Sequence, residues 1–210
     1  MGVRTPTSLG DALTALADGS TRVLAGGTDL MVAVNAGRLT LESVVSVSAV
    51  PELGTWHHDA TTGTVRVGAA VTVSEMARGP LAALLPALAQ AAAAFGSAPI
   101  RNAATIGGAI GTSSPSSDLL VVLTALDAAV ELASLAGQRR LPLGDLLLGP
   151  HRSGIRPDEL VVAIELAVAG PRQHFAKVAA RNAATVATVS AAVVLAVDRR
   201  TTRVALGAVA

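Results

Sequence analysis

The chain of 210 residues has no cysteine and no tyrosine, and its only aromatic side chains are one Trp and two Phe. Without Cys it can build no disulfide, zinc-thiolate site or iron–sulfur cluster of its own. Zero Cys also agrees with a reducing cytoplasm. Three large rings are too few for single-strand nucleic-acid binding, which stacks bases over a basic groove. Charge of one sign is lacking too. Sixteen Lys and Arg against 15 Asp and Glu leave +1, so no strong field draws the chain to polyanions or acidic membranes. A positive N-terminal cap followed by an apolar run is missing, which argues against a signal peptide. The longest apolar stretches are Leu81–Phe95, Leu119–Ala136 and Val186–Val197. Pro86 and Gln90 interrupt the first, Asp127 and Glu131 the second, and the third is about half a membrane span. The expectation is a cytoplasmic protein with no membrane span and no nucleic-acid partner.

What is present is small and apolar. Hydrophobic residues make up 51% and charged residues 15%, which excludes disorder. Alanine alone is about a fifth of the chain, well above ordinary usage, so Leu and Val supply most of the bulk. The length suffices for one domain or two small ones with a real core.

Periodicity and punctuation give a coarse layout. Ser8–Asp18 reads as a helix capped by Ser8, with Leu9, Ala12, Leu13 and Leu16 on one face. Arg22–Ala25 reads as a buried strand broken by Gly26 and Gly27. Thr28 or Asp29 then caps a helix through Asn35, and Val44–Ser48 is a further strand. Trp56–Asp59 and Thr64–Val67 form a hairpin around Ala60-Thr-Thr-Gly63. Thr72–Arg78 and Leu81–Phe95 are helical, separated by Gly79 and Pro80. From Gly96 to Asp118 the chain is rich in Gly, Ser, Thr, Asn and Pro and reads mostly as loop. Ser117 or Ser114 starts a helix over Asp118–Asp127. Strands follow at Ala129–Ser134, Gln138–Pro142 and Glu159–Val168, the last apolar as in a covered sheet. His174–Ala210 holds at least two more. The pentapeptide Arg-Asn-Ala-Ala-Thr occurs at 101–105 and 181–185; its surroundings do not match, so it reads as coincidence in an Ala-rich chain.

Two segments could carry chemistry. In Val23-Leu-Ala-Gly-Gly-Thr-Asp-Leu30 a strand enters, two glycines allow close backbone approach, and a helix starts. Free N–H groups there suit an anion such as phosphate, with Thr28 as a further donor; the same turn can equally serve only to reverse the chain. Thr105-Ile-Gly-Gly-Ala109 is a second Gly-rich segment, followed by hydroxyls and an acid, Asp118, at a helix start. A second phosphate contact with Asp118 on ribose hydroxyls would suit a dinucleotide, and a plain connector with a capping acid would read the same. No G-x-G-x-x-G follows a strand, so a Rossmann fold is a poor match, and no P-loop motif exists. His57 and His58 are adjacent in a hairpin and face opposite sides, which fits a surface turn. His151 and His174 lack acids at ligand spacing, no G-x-S-x-G elbow occurs, and Asp158-Glu159 reads as a solvated turn. Lys177 is the sole lysine. It is either an exposed strand lysine or a cation near an anionic cofactor edge.

Together these motifs resemble the FAD-binding medium subunit of the molybdenum hydroxylases, the xanthine dehydrogenase group. The likeness spans nearly the whole chain. It runs through Pro6-Thr-Ser-Leu-Gly-Asp-Ala-Leu13, Ala25-Gly-Gly-Thr-Asp-Leu30, Pro51-Glu-Leu53 and Pro99-Ile-Arg-Asn102. It continues through Thr105-Ile-Gly-Gly108, Ser114-Pro-Ser-Ser-Asp118, Arg156-Pro-Asp-Glu-Leu160 and Phe175-Ala-Lys177. The implied fold is α+β, a two-subdomain PCMH-type FAD-binding fold. A small β/α N-terminal subdomain (1–54) precedes a mixed or antiparallel-sheet subdomain (55–170), and 171–210 would begin a truncated C-terminal α+β domain. The resemblance implies FAD contacts at Val23, Leu24, Ala25, Gly26, Gly27, Thr28, Asp29 and Leu30, and at Thr105, Ile106, Gly107, Gly108 and Ala109. It adds Phe95 as an aromatic, Asp118 as the acid after the Ser-Pro turn, Val161 on an apolar strand, and Lys177. No catalytic or metal-ligating residue is expected.

The likeness also implies partners. A large subunit would hold the molybdenum cofactor and hydroxylate substrate, and a small one would hold 2Fe–2S clusters, in a dimer of heterotrimers. Electrons would reach the FAD of this chain and leave to NAD or another acceptor. Glu52-Leu-Gly-Thr-Trp56 and Gln173-His-Phe-Ala-Lys-Val178 resemble bacterial xanthine dehydrogenase subunits. Alternatives are the flavin subunit of a carbon-monoxide, aldehyde or N-heterocycle dehydrogenase, and an assembly subunit that has lost flavin. Ala109, where the family usually has Asn, motivates the last, since one lost polar contact costs about 1 kcal/mol.

Overall fold

Each sheet of this protein draws its strands from one stretch of chain. In a computed structural model, described for residues 2–181, 184–196 and 200–209, the fold is α+β. The first stretch holds β1 (Gly2–Arg4), α1 (Leu9–Leu16), β2 (Arg22–Leu24), α2 (Leu30–Asn35) and β3 (Ser43–Ser46). Both β1 and β2 pair with β3 in parallel. Ser8 caps α1, its Oγ accepting the Asp11 N–H at 3.2 Å, and α1 buries Ala12, Ala15 and Leu16. These meet Val45, Val47, Val50 and Leu53 in a small core. Strand β1 has no sequence signature: its three residues are all exposed, and only the ladder to β3 makes them a strand.

A 3-10 turn at Pro51–Leu53 leads into the expected hairpin, β4 (Trp56–Asp59) and β5 (Thr64–Gly68). Next come α3 (Val73–Met76), α4 (Gly79–Leu84) and α5 (Pro86–Ala94). The apolar run 81–95 is thus two helices, because Pro86 has no N–H to continue the first. The stretch from 96 to 118 is not mostly loop, as its composition suggested. It contains α6 (Ala98–Ala103) and α7 (Ile106–Thr112). Pro99 sits in the first turn of α6, where its missing N–H does no harm. Thr105 caps α7 through the Gly108 N–H at 3.1 Å. The glycines of α7 lower its intrinsic helicity, and packing overrides that: a Cβ on Gly107 would lie 2.7 Å from the Cβ of Ala69.

The chain continues through α8 (Asp118–Ala125), β6 (Ala129–Ser134), β7 (Gly137–Pro142), α9 (Leu143–Leu146), β8 (Leu147–Gly149), β9 (Arg152–Ser153) and β10 (Leu160–Ala167). The second sheet is antiparallel, in the order β4-β5-β10-β6-β7. Its central strand, β10, is buried on both faces, which is why it reads as a continuous apolar run. Leu160 and Val162 enter the small core, while Val161, Ile164 and Leu166 enter the large one. A bulge between Val161 and Ala163 lets Val161 and Ile164 share a face. The third sheet joins β11 (Gln173–Ala179), β12 (Ala187–Ala196) and β13 (Thr201–Gly207), and α5 and α8 pack against it. The first pentapeptide copy bridges α6 and the α7 cap. The second lies after β11, with 182 and 183 outside the described residues.

Backbone proximity at Gly68 generates a test. A Cβ there would run into the carbonyl oxygen of Leu53 and lie 2.7 Å from that of Thr55. Gly10, inside α1, has nothing within 4 Å of its would-be Cβ. Gly68→Ala is expected to lower stability by about 2 kcal/mol, whereas Gly10→Ala raises it by about 0.5 kcal/mol. Urea unfolding of the two variants beside the parent measures both; equal effects would contradict this packing.

Candidate functional site

The turn after β2 is built to leave donors free. Gly27 takes φ +70°, a left-handed value that favours glycine. Among the described residues, the N–H groups of Gly26, Gly27, Thr28 and Asp29 donate to no protein acceptor. Asp29 opens α2 without a side-chain cap bond; its carboxylate instead accepts the Thr112 hydroxyl at 3.3 Å. Gly26 lies so close to the end of α6 that a Cβ would overlap the Ala103 carbonyl. That approach presses the first glycine segment against the second.

The second segment behaves differently. The Ile106 N–H donates to Val71 at 3.1 Å, Gly107 to Ala69 at 2.9 Å and Ala109 to Thr105 at 3.1 Å. With Gly108 held by the Thr105 hydroxyl, the start of α7 has no donor to spare. It contributes surface, and its glycines keep that surface bare: a Cβ on Gly108 would lie 3.9 Å from the Ala25 side chain, and one on Gly111 would meet nothing.

Both segments face a cleft of about 910 Å³. Of the residues read from the sequence, Val23, Ala25–Leu30, Phe95, Thr105, Gly107–Ala109 and Val161 line it. Leu24, Ile106, Asp118 and Lys177 do not. Leu24 backs Gly27, with Cδ1 3.1 Å from where a Cβ would be, and Ile106 is fully buried in the large core. Asp118 and Lys177 are brought to each other, Nζ to Oδ2 at 2.6 Å, both almost buried. Burial pushes the Asp118 carboxyl above its ordinary value, against the pull of Lys177, and Oδ1 has no partner. Groups of three or more His, Cys, Asp or Glu able to hold a metal are absent among the described residues, and no described helix is long and apolar enough to cross a membrane.

Sequence reasoning missed the opposite wall. Arg22 and Arg38, and His151, Ser153, Ile155 and Arg156 after β8, reach the cleft. His151 takes φ +55°, donates its N–H to the Ser113 carbonyl at 2.9 Å and has Nδ1 3.2 Å from the Thr112 carbonyl. These are isolated residues with no spacing rule; only the fold gathers them. The cleft thus offers free N–H groups and three arginines in its lining, beside an apolar surface from Phe95, Ile155 and Val161. That donor set suits a long anionic ligand with a flat apolar part.

Comparison with known proteins agrees. Residues 1–169 match the family described as FAD binding domain in molybdopterin dehydrogenase. The chain is 34% identical over 162 residues to the 6-hydroxypseudooxynicotine dehydrogenase complex subunit alpha of Paenarthrobacter nicotinovorans, covering 76% of this chain and 54% of that one. It is 31% identical over 193 residues to the putative xanthine dehydrogenase FAD-binding subunit of Escherichia coli, covering 88% and 65%. The quinoline 2-oxidoreductase structure from Pseudomonas putida superposes with TM-score 0.91 at 27% identity, covering all of this chain and 74% of that one. Carbon monoxide dehydrogenase from Hydrogenophaga pseudoflava gives 0.92 at 26%, covering 100% and 75%. The chain belongs to the FAD-binding domain family of the molybdopterin dehydrogenases. It spans between half and two thirds of the length of these two sequence relatives.

One wall depends on a buried acid. Glu159 is not in a solvated turn, as its neighbours suggested: its side chain is 4% exposed. It accepts from Arg139 Nε and Nη2, each at 2.7 Å, and from the Arg156 N–H at 2.8 Å. Arg139 also donates to the Gly154 carbonyl at 2.7 Å, so the pair fixes the turn that carries Arg156. The Arg139 guanidinium holds the Glu159 carboxyl below its ordinary value of 4.5. The unfolded chain therefore takes up the proton first as pH falls. The stability from this pair is complete above 4.5 and is lost as pH drops through the lower folded value. Glu159→Gln is expected to cost about 1–3 kcal/mol at neutral pH and to flatten the acid limb. Unfolding free energies at about pH 7 and about pH 3 check it; an unchanged acid limb would refute the assignment.

Proposed function

We propose that the chain is the FAD-carrying electron-transfer subunit of a multi-subunit molybdenum hydroxylase. The observation that carries this reading is the convergence of two glycine segments, distant in sequence, on one cleft with free donors at one end. The N–H groups of Gly26–Asp29 and the Thr28 hydroxyl suit a diphosphate. Arg22, Arg38 and Arg156 add positive charge and Phe95 and Val161 give surface for a flat ring, while Asp118, which does not line the cleft, contributes through its buried pair with Lys177. FAD joins two ring systems through a diphosphate and hydroxylated chains, so it fits this set. When bound it supplies the redox chemistry; the chain's own residues bind it, orient it and exclude water.

In this reading a large molybdopterin subunit and a small 2Fe–2S subunit complete the enzyme as a dimer of heterotrimers in the cytoplasm, and NAD or another acceptor takes the electrons. The chain, having no Cys, supplies flavin alone. A xanthine-type substrate is favoured by the motifs around Glu52 and Lys177 and by the likeness to the Escherichia coli protein. The likeness to the nicotine-derived relative favours an N-heterocycle as the second reading. We also divide the chain into units 1–54, 55–170 and 171–210. Strands confined to each range support that division.

The purified chain is expected to show flavin absorbance. Gly27→Val, which forces a side chain onto a left-handed turn, and Asp118→Ala should each lower FAD affinity about tenfold or more, read by fluorescence titration. A colourless protein that takes up no added FAD would defeat the reading and leave a non-catalytic assembly role. Full affinity in both variants would defeat the residue assignment alone.

A further inference from the structure

We propose that His151 is a positioning residue that latches the tip of the β8–β9 hairpin at the mouth of the cleft, so that the hairpin gates entry and exit of the ligand without binding it. This rests on the reading of the cleft as a flavin site.

Among the described residues, β8 and β9 pair with each other and with no strand of the three larger sheets. The base of this hairpin is anchored. Leu147 and Ile155 pack on the large core, Gly154 donates its N–H to the Leu146 carbonyl at 2.8 Å, and Arg139 holds the Gly154 carbonyl. The tip has less support. Leu148 is 58% exposed, and Gly149 takes φ +141°, a value that favours glycine. Among the described residues, every hydrogen bond from 148–153 to the rest of the chain comes from His151. Its backbone N–H donates to the Ser113 carbonyl at 2.9 Å. Its Nδ1 lies 3.2 Å from the Thr112 carbonyl. A carbonyl only accepts, so Nδ1 carries the proton in this bond.

The latch joins three parts of the cleft wall. Thr112 ends α7, where carbonyls lack intrahelical partners, and its hydroxyl donates to Asp29 in the first glycine turn at 3.3 Å. The hairpin tip, α7 and the glycine turn are therefore tied through Thr112, and Asp29, Thr112 and His151 all line the cleft. The junction is strained on both sides. Ser113 takes φ +47° and His151 φ +55°. Such left-handed values cost free energy in residues other than glycine and persist only where surrounding contacts hold them. Freed from Ser113, His151 can return to ordinary backbone angles, so the latch works against strain. A tip held by two bonds against strain opens more readily than the packed base beneath it.

Asn and Gly both accept a left-handed φ. Asn Nδ2 occupies the side-chain position of His Nδ1, whereas Gly has no side-chain donor. His151→Gly is therefore expected to free the tip, and His151→Asn to keep it latched. In the ligand-free chain, amide hydrogen exchange over 148–153 should run about fivefold faster in His151→Gly and stay within about twofold of the parent in His151→Asn. With FAD, stopped-flow fluorescence should show association and dissociation both about fivefold faster in His151→Gly, with Kd changed by less than about twofold. A gate changes both rates alike, whereas a lost ligand contact speeds dissociation alone. Unchanged exchange in His151→Gly, an equal increase in His151→Asn, or faster dissociation with a proportionally weaker Kd would overturn the proposal. If the parent takes up no FAD, the functional reading fails, and exchange in the ligand-free chain still decides the latch.

Discussion

Gly26 passes the Ala103 carbonyl at a separation that no side chain permits, and the cleft depends on that passage. Any Cβ at position 26 would push the first glycine turn away from the end of α6. Gly107 against Ala69 adds a second close approach at the start of α7. Glycine in this contact provides absence of volume on one side and left-handed freedom at Gly27 on the other. The two segments do unequal work. The first keeps its donors unpaired, while the second consumes its own and offers a bare surface.

Around this contact the structure is held by elements shared between cores. Strand β10 serves the small core through Leu160 and Val162 and the large core through Val161, Ile164 and Leu166. The N-terminal unit is thereby docked on the same strand that brings Val161 to the cleft. Charged groups then fix the walls. The Arg139–Glu159 pair holds the turn that bears Arg156, and the Lys177–Asp118 pair joins the third sheet to α5 and α8. Both pairs are nearly buried on the acid side, which makes their partners indispensable: an unpaired buried carboxylate is far costlier than an exposed one.

Much of the layout was legible. Ser8, the Thr-Thr-Gly hairpin turn and the apolar run of β10 are local signals with one physical meaning each, and α1, the β4–β5 hairpin and β10 follow them within a residue or two at each end. The stretch from 96 to 118 was not legible, because glycine and serine content reports intrinsic propensity. Packing of Gly107 on Ala69 and the Thr105 cap outweighed it. Strand β1 escaped because its residues are exposed and their only strand character is a ladder to β3. Glu159 escaped for a similar reason: its sequence neighbours are polar, and its actual partner, Arg139, is twenty residues away.

By itself the sequence determined the two glycine segments, the absence of any cysteine ligand, the family pattern and an apolar content made of small side chains. Those follow from residue type and spacing, which the sequence states directly. Only the tertiary structure decided that the two segments meet in one cleft, that Arg22, Arg38 and Arg156 join them, and that Lys177 pairs with Asp118. Such facts depend on which backbones can approach and which donors are already taken. Approach and saturation are properties of contacts between residues far apart in the chain, so no local pattern encodes them.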